Sequence, residues 1–224
     1  MHLMEVYYEH YYRENYWEQK KYIPYMVLIK DKELREMFKD YLETNDFQCV
    51  SWNDSYLGVL VNVELRRFGL INRPCKHSCV NDYNYSIDEF LMEVYKRALS
   101  SKSDESVDAD WISFDPVRVI PRLNKGGQVY IRTYNRKGRI SLVEHLESEG
   151  FTCIDNDSYN RQDIIDSGLP IVADMHDRTI FRNGNVTCAA GAAQSKMIIS
   201  DKEFYMLYAS RKAKVIDSNR LIVT

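Results

Sequence analysis

The sequence repeats itself at a spacing of a little over one hundred residues, and this constrains the fold more than any single motif. Phe47-Gln48-Cys49-Val50 recurs as Phe151-Thr152-Cys153-Ile154, and Asn53-Asp54-Ser55-Tyr56 as Asn156-Asp157-Ser158-Tyr159. Further on, Ser86-Ile87-Asp88-Glu89-Phe90-Leu91-Met92 recurs as Ser200-Asp201-Lys202-Glu203-Phe204-Tyr205-Met206. Asn72-Arg73-Pro74-Cys75 has a weaker echo in Asn185-Val186-Thr187-Cys188. Several matches in one order, each on the same kind of element, point to a duplicated unit. The alternative is that these residues are simply good strand and turn formers.

Both copies read alike. Tyr25 to Ile29 and Val129 to Tyr134 are strand-like runs rich in β-branched and aromatic residues. Leu34, Met37, Phe38, Tyr41 and Leu42 then share one helical face, as do Ile140, Val143 and Leu146. Gly150 and the pair Asn45-Asp46 are the expected helix stops, each followed by a strand, and a strand–helix–strand unit implies parallel strands. Each copy closes on a helix opened by a capping box, Ser86 with Glu89 and Ser200 with Glu203. The expected fold is α/β, two tandem duplicated small lobes over 23–99 and 128–224. Residues 1–22 supply an extra N-terminal helix and 100–127 a linker with a basic connection. Val215 to Val223 reads as a terminal hairpin.

The second copy has the order β-α-β-α-β-β-α, with Leu169-Pro170-Ile171 at the start of its third strand. In this it resembles the thioredoxin/glutaredoxin family, which implies a degenerate thioredoxin-like fold; a different layered α/β unit is the alternative. The resemblance departs where that family carries Cys-x-x-Cys. Here Asn135-Arg136-Lys137-Gly138 and Lys30-Asp31-Lys32-Glu33 occupy the place, so thiol–disulfide chemistry does not carry over.

Composition excludes several classes. At 224 residues with 45% hydrophobic content, the chain can build a core without metal or disulfide. No apolar run reaches the roughly 20 residues of a membrane span, and the start, with its glutamates, does not read as a signal peptide. Five scattered cysteines fit a cytoplasmic protein, with Cys49 and Cys153 as small core residues. No phosphate-binding glycine loop or nucleophile-elbow motif occurs, and no cofactor is expected.

Four groups of residues carry candidate chemistry. Asp174, His176 and Asp177 follow a strand, where α/β sheets present catalytic groups; the plainer reading is a polar turn. Cys75, His77 and Cys79 could begin a zinc site but have no second pair downstream, so loop cysteines are expected and no metal. The basic tract Arg118, Arg122, Lys125, Arg132, Arg136, Lys137 and Arg139 holds no acid and interleaves Tyr130 and Tyr134. It suits phosphate or an acidic partner. Tyr7, Tyr8, Tyr11, Tyr12 and Trp17 give an aromatic interaction surface.

The net charge of -3 and the acidic first half disfavour nucleic acid. The function expected is therefore a non-enzymatic interaction or regulatory scaffold for a protein partner or a second copy of itself. The alternative is a nucleotide or nucleic-acid binder, or an enzyme, using the tract with Asp174, His176 and Asp177.

Overall fold

A computed structural model describes residues 24–52, 58–71, 84–100, 109–154, 160–182 and 196–221. The chain divides into two compact units, residues 1–112 with 213–224, and residues 113–212. Both are mixed α/β, with a five-stranded sheet in each.

The first unit runs β1 (Tyr25–Leu28), α1 (Lys32–Thr44), β2 (Gln48–Ser51), β3 (Gly58–Asn62), β4 (Arg67–Ile71), β5 (Asn84–Tyr85) and α2 (Ile87–Ser100). The second opens with α3 (Pro116–Lys125). It continues through β6 (Gln128–Arg132), α4 (Arg136–Ser148), β7 (Thr152–Cys153), α5 (Arg161–Asp166), β8 (Ile171–Asp174), β9 (Thr179–Arg182), β10 (Ile198–Ser200) and, as far as residue 212, α6 (Asp201–Leu221).

The two sheets have the same strand order, β2-β4-β3-β1-β5 and β7-β9-β8-β6-β10. Directions match as well. The central pairs β1–β3, β3–β4, β6–β8 and β8–β9 are antiparallel, and the outer pairs β2–β4, β1–β5, β7–β9 and β6–β10 are parallel. Registers agree residue for residue. Val27 faces Val59 and Tyr85 where Ile131 faces Ile171 and Ile199, shifts of 104, 112 and 114 residues. The same shifts relate Cys49–Phe68 to Cys153–Ile180, and Val59–Leu70 to Ile171–Arg182. The step from 104 to 112 falls between β7 and β8, where α5 has no described counterpart in the first unit. This is the layout a duplicated unit requires. The strands joined by α1 are parallel, as expected, but two strands lie between β1 and β2.

Local chemistry explains why the elements form. Asp31 and Asn135 cap α1 and α4, accepting the N–H groups of Leu34 and Gly138, both at 2.8 Å. At the other ends Asp46 (φ 64°) and Gly150 (φ 85°) take the left-handed conformation that turns the chain into β2 and β7. Arg66 and Arg178 are also left-handed, with φ of 50° and 51°, in the turns after β3 and β8. Each guanidinium reaches the carbonyl that ends its helix, Asn45 at 3.1 Å and Glu149 at 3.0 Å. A cation at a helix C-terminus is favourable, and here it also ties a sheet turn to that helix. Nothing in the sequence reading flagged this pair.

The cores are built on matched residues. Phe47 and Phe151 are buried, and Phe90 and Phe204 are fully so. Around Phe90 the rings of Tyr25 and Phe38 stand edge-on at 5.3 and 5.9 Å, and Trp111 tilts against it at 6.3 Å. Burial pushes the Tyr25 phenol up to about 12. In α4, Leu142, Val143 and Leu146 are the buried apolar residues, and Ile140 is only half-buried.

Three expectations change. The linker with a basic connection expected over 100–127 carries packed structure from residue 109 on. Trp111, Ile112 and Phe114 are buried, and Pro116 starts a helix that continues through Pro121 and buries Val119, Ile120 and Leu123. The terminal hairpin is absent, because α6 runs to Leu221. Cys49 and Cys153 are only half-buried, since β2 and β7 are edge strands open on one side. His145, on α4, is half-buried and packs edge-on to Tyr205 at 4.9 Å.

Candidate functional site

Asp174, His176 and Asp177 come together only as a turn. The Asp174 carboxylate accepts the backbone N–H groups of His176 (3.0 Å) and Asp177 (3.2 Å), closing the connection from β8 to β9. Asn62 does the same for Leu65 in the first unit, at 2.9 Å. Partial burial alone would raise the Asp174 pKa. The two N–H groups, Gln128 and His176 outweigh it and hold the carboxyl below its ordinary value. The His176 side chain is 82% exposed and stands 3.9 Å from Asp177. Gly126 lies beside it with φ 91°, and a side chain there would meet the His176 Cβ at 3.1 Å. This carboxylate is occupied by the backbone, and the imidazole faces solvent.

The basic tract divides into two sets. Arg118, Arg122 and Lys125 lie at i, i+4 and i+7 along one exposed face of α3. Arg118 is paired with Asp115 at 3.3 Å, and Arg122 donates to the Gln128 carbonyl at 3.4 Å. The other set surrounds the corner from β6 into α4. Arg132 ends β6 beside Ser200 of β10; Arg136 and Lys137 open α4. Arg136 is held by Asp166 at 2.8 Å. Arg132 and Lys137 are exposed and have no ion-pair partner among the described residues. Tyr134 between them is 81% exposed.

Arg139 departs from the expectation of a surface cation. It is 5% exposed, donates through Nη2 to the Leu169 carbonyl, and leaves Nη1 buried without an acceptor. Burial lowers its pKa. Its counterpart Arg35 is equally buried but donates through Nη1 to the carbonyls of Ile29 (2.8 Å) and Lys30 (2.9 Å). A buried donor left unsatisfied costs about 1–3 kcal/mol.

Tyr7, Tyr8, Tyr11, Tyr12, Trp17, Cys75, His77 and Cys79 lie outside the described residues. Among the described residues no group of three His, Cys, Asp or Glu side chains is placed to hold a metal ion. No described helix is long and apolar enough to cross a membrane.

Away from the corner, α4 ends in a second charged cluster. Lys212 binds both Glu149 oxygens (2.7 and 2.8 Å), and Arg161 grips Glu147 through two nitrogens (2.8 and 2.9 Å). The hydrogen bond from Lys212 holds Glu149 below the ordinary carboxylate value of 4.5, and that from Arg161 does the same for Glu147. A depressed carboxyl contributes stability that is present above its unfolded value and lost as pH falls through the folded one. The urea midpoint should therefore drop as pH falls from about 5 toward 3. Lys212→Met should flatten that drop; an unchanged acid slope would show that the Glu149 pair contributes nothing.

The fold and this corner define a two-unit α/β protein with exposed cations at the β6–α4 corner of its second unit. Comparison of the chain with protein-family models, with curated proteins and with solved structures returns no match.

Proposed function

We propose that the chain is a non-enzymatic interaction protein. On this reading its tandem α/β body, a duplication of one unit, is a scaffold. Its second unit docks an acidic protein partner at the β6–α4 corner. The observation that carries the reading is that Arg132 and Lys137, on either side of exposed Tyr134 in the sequence, are exposed and have no ion-pair partner among the described residues. Of the other cations of the tract, Arg118 is engaged by Asp115 and Arg136 by Asp166. Unpaired charges next to an exposed aromatic ring supply what an interface uses, charge for steering and specificity and the ring for contact area. The use of Asp174 as a turn cap argues against the enzymatic alternative.

The test is fluorescence anisotropy with a labelled polyglutamate peptide and with a single-stranded oligonucleotide of equal charge. The peptide should bind, more weakly as salt rises from about 50 to 200 mM. The double variant Arg132→Glu, Lys137→Glu should lower its affinity by roughly tenfold or more while the fold is retained. Tighter binding of the oligonucleotide at every salt concentration, or a peptide affinity untouched by the double variant, would overturn the reading.

A further inference from the structure

Two helices carry opposite charge along their exposed faces. On α1, Glu33, Glu36, Asp40 and Glu43 recur at i, i+3, i+7 and i+10, one row on the side away from buried Leu34, Phe38 and Leu42. At a rise of 1.5 Å per residue the row is about 15 Å long. Glu33, Asp40 and Glu43 are exposed and have no ion-pair partner among the described residues. Glu36 is shared by Lys39 at 4.0 Å and the Trp52 indole N–H at 2.8 Å. The shared fold does not require such a row. At the equivalent positions of α4 stand Lys137, Ile140, Glu144 and Glu147, and Glu147 is gripped by Arg161.

The complement lies on α3. Arg118, Arg122 and Lys125 form its exposed row, about 10 Å long, and the helix contains no acid. Arg118 shares Asp115 at 3.3 Å yet stays mostly exposed, and Arg122 reaches only a carbonyl, at 3.4 Å. Lys125 has no ion-pair partner among the described residues. Apolar Val117 is exposed next to Arg118.

We propose that the exposed face of α3 is a self-association surface, and that its occupant is the acidic face of α1 in a second copy of the chain. This surface is separate from the β6–α4 corner and does not depend on the reading of that corner. Charge complementarity selects the occupant. Laid side by side, the two helices set three cations against three carboxylates that have no ion-pair partner, over rows of similar length. Pairing α1 with α1, or α3 with α3, would bring like charges together, which disfavours both. The contact is therefore heterologous: it joins different faces of two copies and repeats into a closed ring or an open row. Exposed ion pairs are individually weak and screened by salt, so the association is transient and salt-sensitive.

The experiment is sedimentation velocity of the full chain over about 10–500 μM, at about 50 and 200 mM salt. The average mass should rise with concentration at the lower salt and rise less at the higher. Asp40→Lys with Glu43→Lys, and separately Arg118→Glu with Lys125→Glu, should each weaken association about tenfold or more. These positions spare the hydrogen bonds of Trp52 to Glu36 and of Arg122 to Gln128, and far-UV circular dichroism checks that each variant is folded. A chain carrying all four reversals keeps the net charge of -3 and should recover association, as should an equimolar mixture of the two double variants. Recovery in the four-fold variant separates paired faces from a general effect of net charge. An unaltered chain that stays monomeric throughout, association untouched by either double variant, or a four-fold variant no better than the doubles would each overturn the proposal.

Discussion

Phe204→Ala should unfold the second unit over the greater part of its stable range, and Phe90→Ala should do the same to the first. Both rings are fully buried at equivalent places in a closing helix. Phe90 is surrounded by Tyr25, Phe38 and Trp111, and Phe204 stacks on Tyr208 at 5.4 Å with 14° between the planes. Removing a buried phenyl ring loses its transfer free energy and leaves a hole that neighbours fill only in part, a cost of about 3–5 kcal/mol. Against a domain stability of about 5–15 kcal/mol, that is a large share. Urea unfolding followed by far-UV circular dichroism would measure it. Phe→Leu at either position should cost less than half as much. A loss under about 1 kcal/mol for Phe204→Ala would show that the residue is not at the centre of its core.

The second large effect separates two capping boxes that look the same in sequence. Glu89 accepts from the Ser86 N–H (2.9 Å) and hydroxyl (2.6 Å) in an exposed position. Glu203 makes the equivalent bonds to Ser200, at 2.7 and 2.9 Å, but is 7% exposed and also accepts the Ser113 hydroxyl at 2.5 Å. Ser113 lies ninety residues away in sequence, so Glu203 joins the start of α6 to the segment leading into α3. Glu89→Ala should cost about 1 kcal/mol, the usual value of an exposed cap. Glu203→Ala should cost about 2–3 kcal/mol, because it also strands part-buried donors and a bond to a charged acceptor. Paired urea midpoints would measure the difference; equal losses would mean that the Ser113 bond adds nothing.

These two glutamates show what could be read in advance. The box itself was legible, because a serine and a glutamate three residues apart contain the whole interaction. So were the apolar faces of α1 and α4 and the stop at Gly150, all set by neighbours within one or two turns. The helix over Pro116–Lys125 escaped notice because the stretch was read for its cations, as a basic connection. Yet Pro116 sits at the first helical position, where no N–H is needed, and three apolar side chains bury around Pro121. The run from Val215 to Leu221 looked strand-like by composition and is helix, as a continuation of α6.

The candidate site was legible only in outline. The tract was visible as a run of cations, but charge along a sequence does not say which side chains end up paired. Asp115 and Asp166 neutralise two of them, and burial removes Arg139 from the surface altogether. The Asp174, His176 and Asp177 group looked the same whether as a catalytic cluster or as a turn, until two backbone hydrogen bonds assigned the carboxylate to the turn.

What this sequence determined alone is everything whose partners are near in the chain: two similar series of strands and helices, their caps, and the aromatic residues that had to be inside. Strand order, register and the fate of each charge came only with the tertiary structure. Those depend on pairings between residues tens of positions apart, such as Val27 with Val59 or Ser113 with Glu203. Such a pairing gains nothing until the loop between its ends has closed, so no local pattern of residue types encodes it.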